Sequence, residues 1–222
     1  MADVHSQKRV LQSITGEAEK RLLIWLAERL PAWVTPDLLT GVGVFGAAVV
    51  FAGYALSNIA PAYLWLSTLG LVINWFGDSV DGTLARVRHI ERPKYGFYVD
   101  HTLDVVSEGL IFLGIGVSPY VRFDVACLAY IAYLGISVLI YVRAFVDGVF
   151  KITYGRLGPT ELRILLAFVN ALMFVWPHPS VSLAGRTVGL YDLGVSLITV
   201  GLVVAFVGAL VRGLHDLADV DA

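Results

Sequence analysis

DSVDGTLARVRHIERPKYGFYVDHTLD, residues 78–104, sets four aspartates, Asp78, Asp81, Asp100 and Asp104, between two strongly apolar stretches. If both flanks are helical, Asp78 and Asp81 share a face at the end of one helix, and Gly96, Asp100 and Asp104 share a face at the start of the next. Four carboxylates then point into one space. Ionisable groups in or beside membrane-type segments are costly, turn to the protein interior or a wet cavity, and mark functional sites. Clustered hard oxygens suit Mg²⁺, Mn²⁺ or Ca²⁺, and a two-metal site would use all four. Interfacial salt bridges, with Arg86 and Arg88 supplying positive charge, are the other reading.

Working outward, composition sets the class. The 222 residues are 57% hydrophobic and 15% charged, with a mean hydropathy of +0.75; an ordinary soluble domain is excluded and a polytopic membrane protein expected. A net charge of -2 says little, because in such chains the distribution of charge matters more than the sum. The lone Cys127 sits in an apolar run and gives neither a disulfide framework nor a thiolate metal site within one chain. No basic and aromatic pattern suggests nucleic acid, and the polar, charged N-terminus is unlike a cleavable signal.

Apolar runs fall at about 38–57, 63–80, 97–117, 125–150, 162–176 and 193–211, the fifth being short for a span. The expected fold is all-α, with six transmembrane helices and an N-terminal amphipathic surface helix. Residues 1–34 form the juxtamembrane segment, 35–215 the transmembrane catalytic domain and 216–222 a short acidic tail. The N-terminal helix either lies on the membrane with Trp25 and Trp33 at headgroup depth, or packs on the protein itself. Thr35-Pro36-Asp37 opens the first span, where Gly41, Gly43, Gly46 and Gly53 suit close helix packing. Pro93 ends the helical run that follows Asp81. Gly82 and Gly96 let backbone approach a bulky group such as a pyrophosphate, or serve packing. Lys and Arg concentrate on the side of both termini and the aspartates, leaving Arg122 and Arg186 opposite, so the positive-inside rule turns the acid cluster to the cytoplasm.

Asp78-x-x-Asp81-Gly82-x-x-Ala85-Arg86, then nine residues, then Gly96-x-x-x-Asp100-x-x-x-Asp104 resembles the full signature of the CDP-alcohol phosphotransferase family at eight fixed positions. The resemblance implies transfer of a substituted phosphate from a CDP-alcohol to a second alcohol, with release of CMP and dependence on divalent metal, Mg²⁺ or Mn²⁺, as two ions. It implies that Asp78 and Asp100 bridge the metals, that Asp81 holds one, and that Asp104 binds the second and acts as general base. Gly82, Ala85 and Arg86 would line the CDP site, with Gly96 beside them. A Pro-Asp-x-x-Thr element at this place implies a nucleotide-pocket role for Asp37 and Thr40; helix capping by Thr35 or Asp37 is the competing account. The implied partners are CDP-diacylglycerol, a polar alcohol acceptor and membrane lipids, and the family is commonly homodimeric.

The acceptor is less legible. Glu108, one turn beyond Asp104, and Arg143 are acceptor-binding candidates, Glu108 for a polar or amine-bearing alcohol; the competing account is a buried ion pair between the two. Arg156 and Arg163 are available for a phosphate or carboxylate on the acceptor, or simply obey the topology rule. A soluble CDP-amino alcohol donor with diacylglycerol as acceptor uses the same signature. In another class, a cation carrier would place its acids near the midplane within repeated, broken helices. Here they sit near one face, and no repeat is visible.

Overall fold

The computed structural model describes residues 16–147, 158–183 and 185–218. Among them are seven α-helices, a one-turn 3-10 helix (Pro61–Tyr63) and one hairpin: α1 (Gly16–Arg29), α2 (Pro36–Leu56), α3 (Leu64–Val87), α4 (Pro93–Val117), α5 (Phe123–Asp147), α6 (Pro159–Val175), β1 (Ser180–Leu183), β2 (Arg186–Gly189) and α7 (Leu190–Ala218). The all-α class holds, with three helices (α2, residues 123–146 of α5, and α7) long and apolar enough to cross a membrane. No residue of α7 is buried outright: Tyr191 and Val195 pack against the core, while Leu197, Val200, Val204 and Leu214 are exposed.

The helix starts follow local chemistry. Thr35 caps α2, its Oγ1 accepting from the Leu38 amide at 3.2 Å, and Pro36 fills the first turn where no amide partner is needed. Asp37, the alternative cap, is left for another partner. Pro93 does not close the run that holds Asp81: α3 stops at Val87, His89 turns the chain with a φ of 55°, and Pro93 opens α4. In α6 the Glu161 carboxylate accepts from the Gly158 amide at 2.9 Å, satisfying an orphan donor.

Helices α2 and α3 form the centre. A Cβ on Gly77 would stand 2.2 Å from the Gly43 nitrogen and 2.5 Å from the Leu39 carbonyl oxygen, so the two backbones touch where a side chain would keep them apart. Helix α4 lies on α2, α6 and α1 lie on α3, and α5 joins α4 to α7. Val50, Tyr54, Leu64 and Leu71 form one core with Ile115, Val121 and Met173. The buried Tyr54 hydroxyl donates to Asn170 at 2.7 Å, and Asn170 donates to Thr68 at 3.1 Å, binding α2, α3 and α6 through paired polar groups.

Of the two readings of the N-terminal helix, α1 has the contacts of the second. Ala27 is buried, and with Leu23 and Leu26 it packs on Val80 and Leu84 of α3. Trp25 is half exposed beneath the Arg29 guanidinium, and Trp33 is exposed. The stretch 177–191, between the fifth and sixth apolar runs, carries a hairpin pairing Ser180 with Gly189 and Leu183 with Arg186, with Gly185 at a φ of 75° in its turn.

Candidate active site

Helical spacing and the glycine contact together build the site. Because α3 lies against α2 at Gly43 and Gly77, the adjacent Asp78 faces the mouth of α2, and α4 brings Asp100 and Asp104 to the same place. One pocket is lined by Thr40, Gly43, Asn74, Asp78, Asp100 and Asp104, with Val44, Leu103 and Ser107 completing its wall. Asp81, one turn on from Asp78, is buried and accepts a hydrogen bond from Thr40 Oγ1 at 2.6 Å. The four sequence-predicted aspartates thus gather around the junction of three helices. They act on one another as like charges: Asp78 and Asp100 both repel Asp81 and Asp104.

Positive charge reaches them from α6. Arg163 Nη2 donates to Asp78 Oδ2 at 2.7 Å and its Nε to Asn74 Oδ1 at 2.9 Å. Asn74 is itself held, its Nδ2 donating to the Gly43 carbonyl at 2.9 Å. Arg163 Nη1 is buried without a hydrogen-bond partner.

On α4, Asp100, His101 and Asp104 offer three ligand atoms within 4.8 Å of one another. His101 Nδ1 stands 3.2 Å from Asp100 Oδ2, and its ring lies between those of Phe97 and Tyr141, at centroid distances of 4.1 and 5.3 Å. The donor set, carboxylate oxygens with one imidazole, fits a hard divalent cation better than a soft one. Sequence reasoning passed over Asn74, His101 and Ser107. All three had a signal: Asn74 and Ser107 are polar groups on the acid-bearing faces of otherwise apolar helices, and His101 is an ionisable residue at i, i+3 from Asp104.

The expected nucleotide residues divide. Gly82, Ala85 and Arg86 follow Asp81 on the last turns of α3, with Arg86 Nη2 donating to Thr83 at 3.0 Å. Gly96 is exposed in the first turn of α4, and a Cβ there would meet nothing within 4 Å. Asp37 is exposed and pairs with Arg92, the residue before α4, which also lies 4.1 Å above the Tyr95 ring. The hydrogen bond from Arg92 to Asp37 holds that guanidinium above its ordinary pKa. Asp37 and Arg92 therefore tie the start of α2 to the start of α4 across the mouth.

The acceptor candidates are not all assembled. Glu108 accepts from the Tyr133 hydroxyl on α5. The expected ion pair with Arg143 is replaced: Arg143 Nη2 donates to Asp216 at 2.8 Å and Nη1 to the Gly213 carbonyl at 3.1 Å, fastening α5 to α7. Arg163 is in the cluster, on Asp78, and Arg156 lies outside the described residues.

A family model described as CDP-alcohol phosphatidyltransferase matches residues 33–211. Among curated proteins the chain is similar to cholinephosphotransferase 1 of Mus musculus, 28% identical over 158 residues, covering 67% of this chain and 38% of that protein. It is also similar to archaetidylinositol phosphate synthase of Methanothermobacter thermautotrophicus, 28% identical over 162 residues, covering 72% of this chain and 76% of that one. The chain thus spans about two fifths of the mouse protein and about three quarters of the archaeal one. Among solved structures, the phosphatidylinositol phosphate synthase of Mycobacterium tuberculosis with CDP-DAG bound shares the fold at a TM-score of 0.57, with 23% identity, covering 86% of this chain and 92% of that one.

Proposed function

The chain belongs to the CDP-alcohol phosphatidyltransferase family of membrane transferases, and from that premise we propose that it moves a phosphatidyl group from CDP-diacylglycerol to the hydroxyl of a polar alcohol, releasing CMP. The observation that carries the reading is the pocket where Asp78 of α3 meets Asp100 and Asp104 of α4, with Asp81 held behind them by Thr40. In the reaction the acceptor oxygen forms a bond to the phosphatidyl phosphorus, the bond from that phosphorus to the CMP phosphate oxygen breaks, and the acceptor proton passes to a base.

Each role falls to a residue of this chain. Asp104, one turn beyond Asp100 on α4, takes the acceptor proton. Asp78, Asp81, Asp100 and Asp104 would hold one or two Mg²⁺ or Mn²⁺ ions. When bound, those ions neutralise the phosphate oxygens and stabilise the leaving phosphate. His101 is an added candidate beside Asp100. Gly82, Ala85, Arg86 and Gly96, with Asp37 and Thr40 at the mouth, form the CDP side, where the exposed Gly96 leaves backbone open to a pyrophosphate. Glu108 and Arg163 lie on the acceptor side, and the guanidinium favours an anionic acceptor.

All of α2 to α7 cross the bilayer in this reading, with the acids at the cytoplasmic face of the inner membrane and the acyl chains of the donor between spans. Residues 35–215 form the catalytic domain, between the juxtamembrane segment 1–34 and the tail 216–222. α1 lies along the membrane surface by its outer side, Trp25 included, while its inner side packs on α3. Two copies associate as a homodimer through the apolar faces that the single chain leaves open.

The likeness to cholinephosphotransferase 1 favours one second reading, a CDP-amino alcohol donor with diacylglycerol as acceptor. The purified protein in lipid nanodiscs separates the two. CMP release from CDP-diacylglycerol with a panel of polar alcohols supports the first; release only from CDP-choline or CDP-ethanolamine with diacylglycerol supports the second; release from neither donor overturns both.

A further inference from the structure

We propose that Arg163 is a built-in competitor of the divalent ions: its guanidinium sits on Asp78, and a metal binding at that carboxylate displaces it. This rests on the reading of Asp78 as a metal ligand.

Arg163 is tied in by two different partners. Its Nη2 meets Asp78 Oδ2 at 2.7 Å, its Nε meets Asn74 Oδ1 at 2.9 Å, and the arginine and aspartate side chains are only 16% and 25% exposed. Asn74, fixed to the Gly43 carbonyl on α2, aims the guanidinium, so the placement is built rather than incidental. A guanidinium on Asp78 Oδ2 takes one of the roughly four lone-pair sites of that carboxylate and brings a full positive charge beside the rest. Two cations brought onto the same carboxylate would also repel each other strongly at such short range, the more so away from bulk water.

The grip is nevertheless incomplete. A fork bound to both oxygens of one carboxylate is the strong arrangement; here Asp78 receives one donor, the second goes to an amide, and buried Nη1 has no partner. The charge of Arg163 also reaches Asp104 and Glu108, where it opposes the repulsion among the acids without cancelling it, so its hold on the cluster is partial. It is weak enough to yield to a dication.

The test is Mn²⁺ binding followed by electron paramagnetic resonance, on chelator-treated protein in nanodiscs without substrate, for the native chain, Arg163→Lys and Arg163→Gln. The expected result is Mn²⁺ affinity about tenfold higher in Arg163→Gln, equivalent to about 1.4 kcal/mol, with Arg163→Lys between, and no gain from Arg163→Gln when Asp78 is already Asn. For a variant that folds poorly, melting decides: Arg163→Gln should melt lower than the native chain without metal and show the larger rise on adding Mn²⁺. Equal or weaker Mn²⁺ binding by Arg163→Gln, with no larger melting shift, overturns the competition and leaves the metal site standing. Absence of Mn²⁺ binding in every protein overturns the metal site, and the competition with it.

Discussion

Thr40 Oγ1 donates to Asp81 Oδ2 at 2.6 Å across 41 residues of chain, and so fixes the orientation of a buried acid from the neighbouring helix. The threonine is itself held at the mouth of α2, where its hydroxyl also lies 3.1 Å from the Pro36 carbonyl. Outer hydrogen bonds of this kind orient a metal-binding carboxylate and commonly carry a 10- to 100-fold effect. Thr40→Val should therefore lower CMP release by about that factor, while Thr40→Ser retains most of it. Equal rates for the native chain and Thr40→Val would remove Thr40 from the site.

The contact of Gly77 with Gly43 places Asp78 and Asp81. Gly77→Ala puts a methyl group against backbone that cannot turn aside, and overpacking of this kind costs about 1–3 kcal/mol. The expected outcome is a lower melting temperature and loss of activity together. Gly41, on the same helix as Gly43, has nothing within 4 Å of its Cβ position. Gly41→Ala should leave both measurements near their native values.

Glu19 accepts from Trp75 Nε1 at 3.0 Å and from the Thr160 hydroxyl, joining α1 to both α3 and the first turn of α6. Hydrogen bonds to charged groups contribute about 1.5–3 kcal/mol, so Glu19→Ala should melt measurably lower. Glu19→Gln, which keeps a carbonyl oxygen as acceptor, should recover part of the loss. Because α6 carries Arg163, a proteolysis assay should also find the start of α6 cut faster in Glu19→Ala.

The exposed pair of Asp37 and Arg92 should behave in the opposite way. Surface ion pairs add little to stability, so Arg92→Ala should leave melting unchanged. If the pair borders the nucleotide, KM for the CDP donor should change while the acceptor KM stays constant; an unchanged donor KM would place the nucleotide elsewhere.

The acids were legible in the sequence because helical spacing is local: Asp78 with Asp81, and Asp100 with Asp104, share faces whatever surrounds them. Thr35 and Pro36 announced α2 for the same reason. What spacing could not carry was partnership across the chain. Arg163 reads equally well as a topology charge or a ligand until α6 is seen against α3, and Arg143 lies within reach of Asp216 only because α5 packs on α7. Pro93 misled because a proline that stops one helix and one that opens the next look alike without the loop. Asn74 was visible as a polar residue one turn before Asp78, but its value depends on the Gly43 carbonyl, which only close approach of two helices provides.

The central claim, that the acids of α3 and α4 grip divalent ions to transfer a phosphatidyl group, meets its most direct test in one assay of CMP release from CDP-diacylglycerol by the protein in nanodiscs, with a panel of polar alcohols. The account predicts release with at least one alcohol, loss on chelation, recovery with added Mg²⁺ or Mn²⁺, and a fall of at least about a hundredfold in Asp104→Asn. Release that persists under chelation and in Asp104→Asn would contradict it.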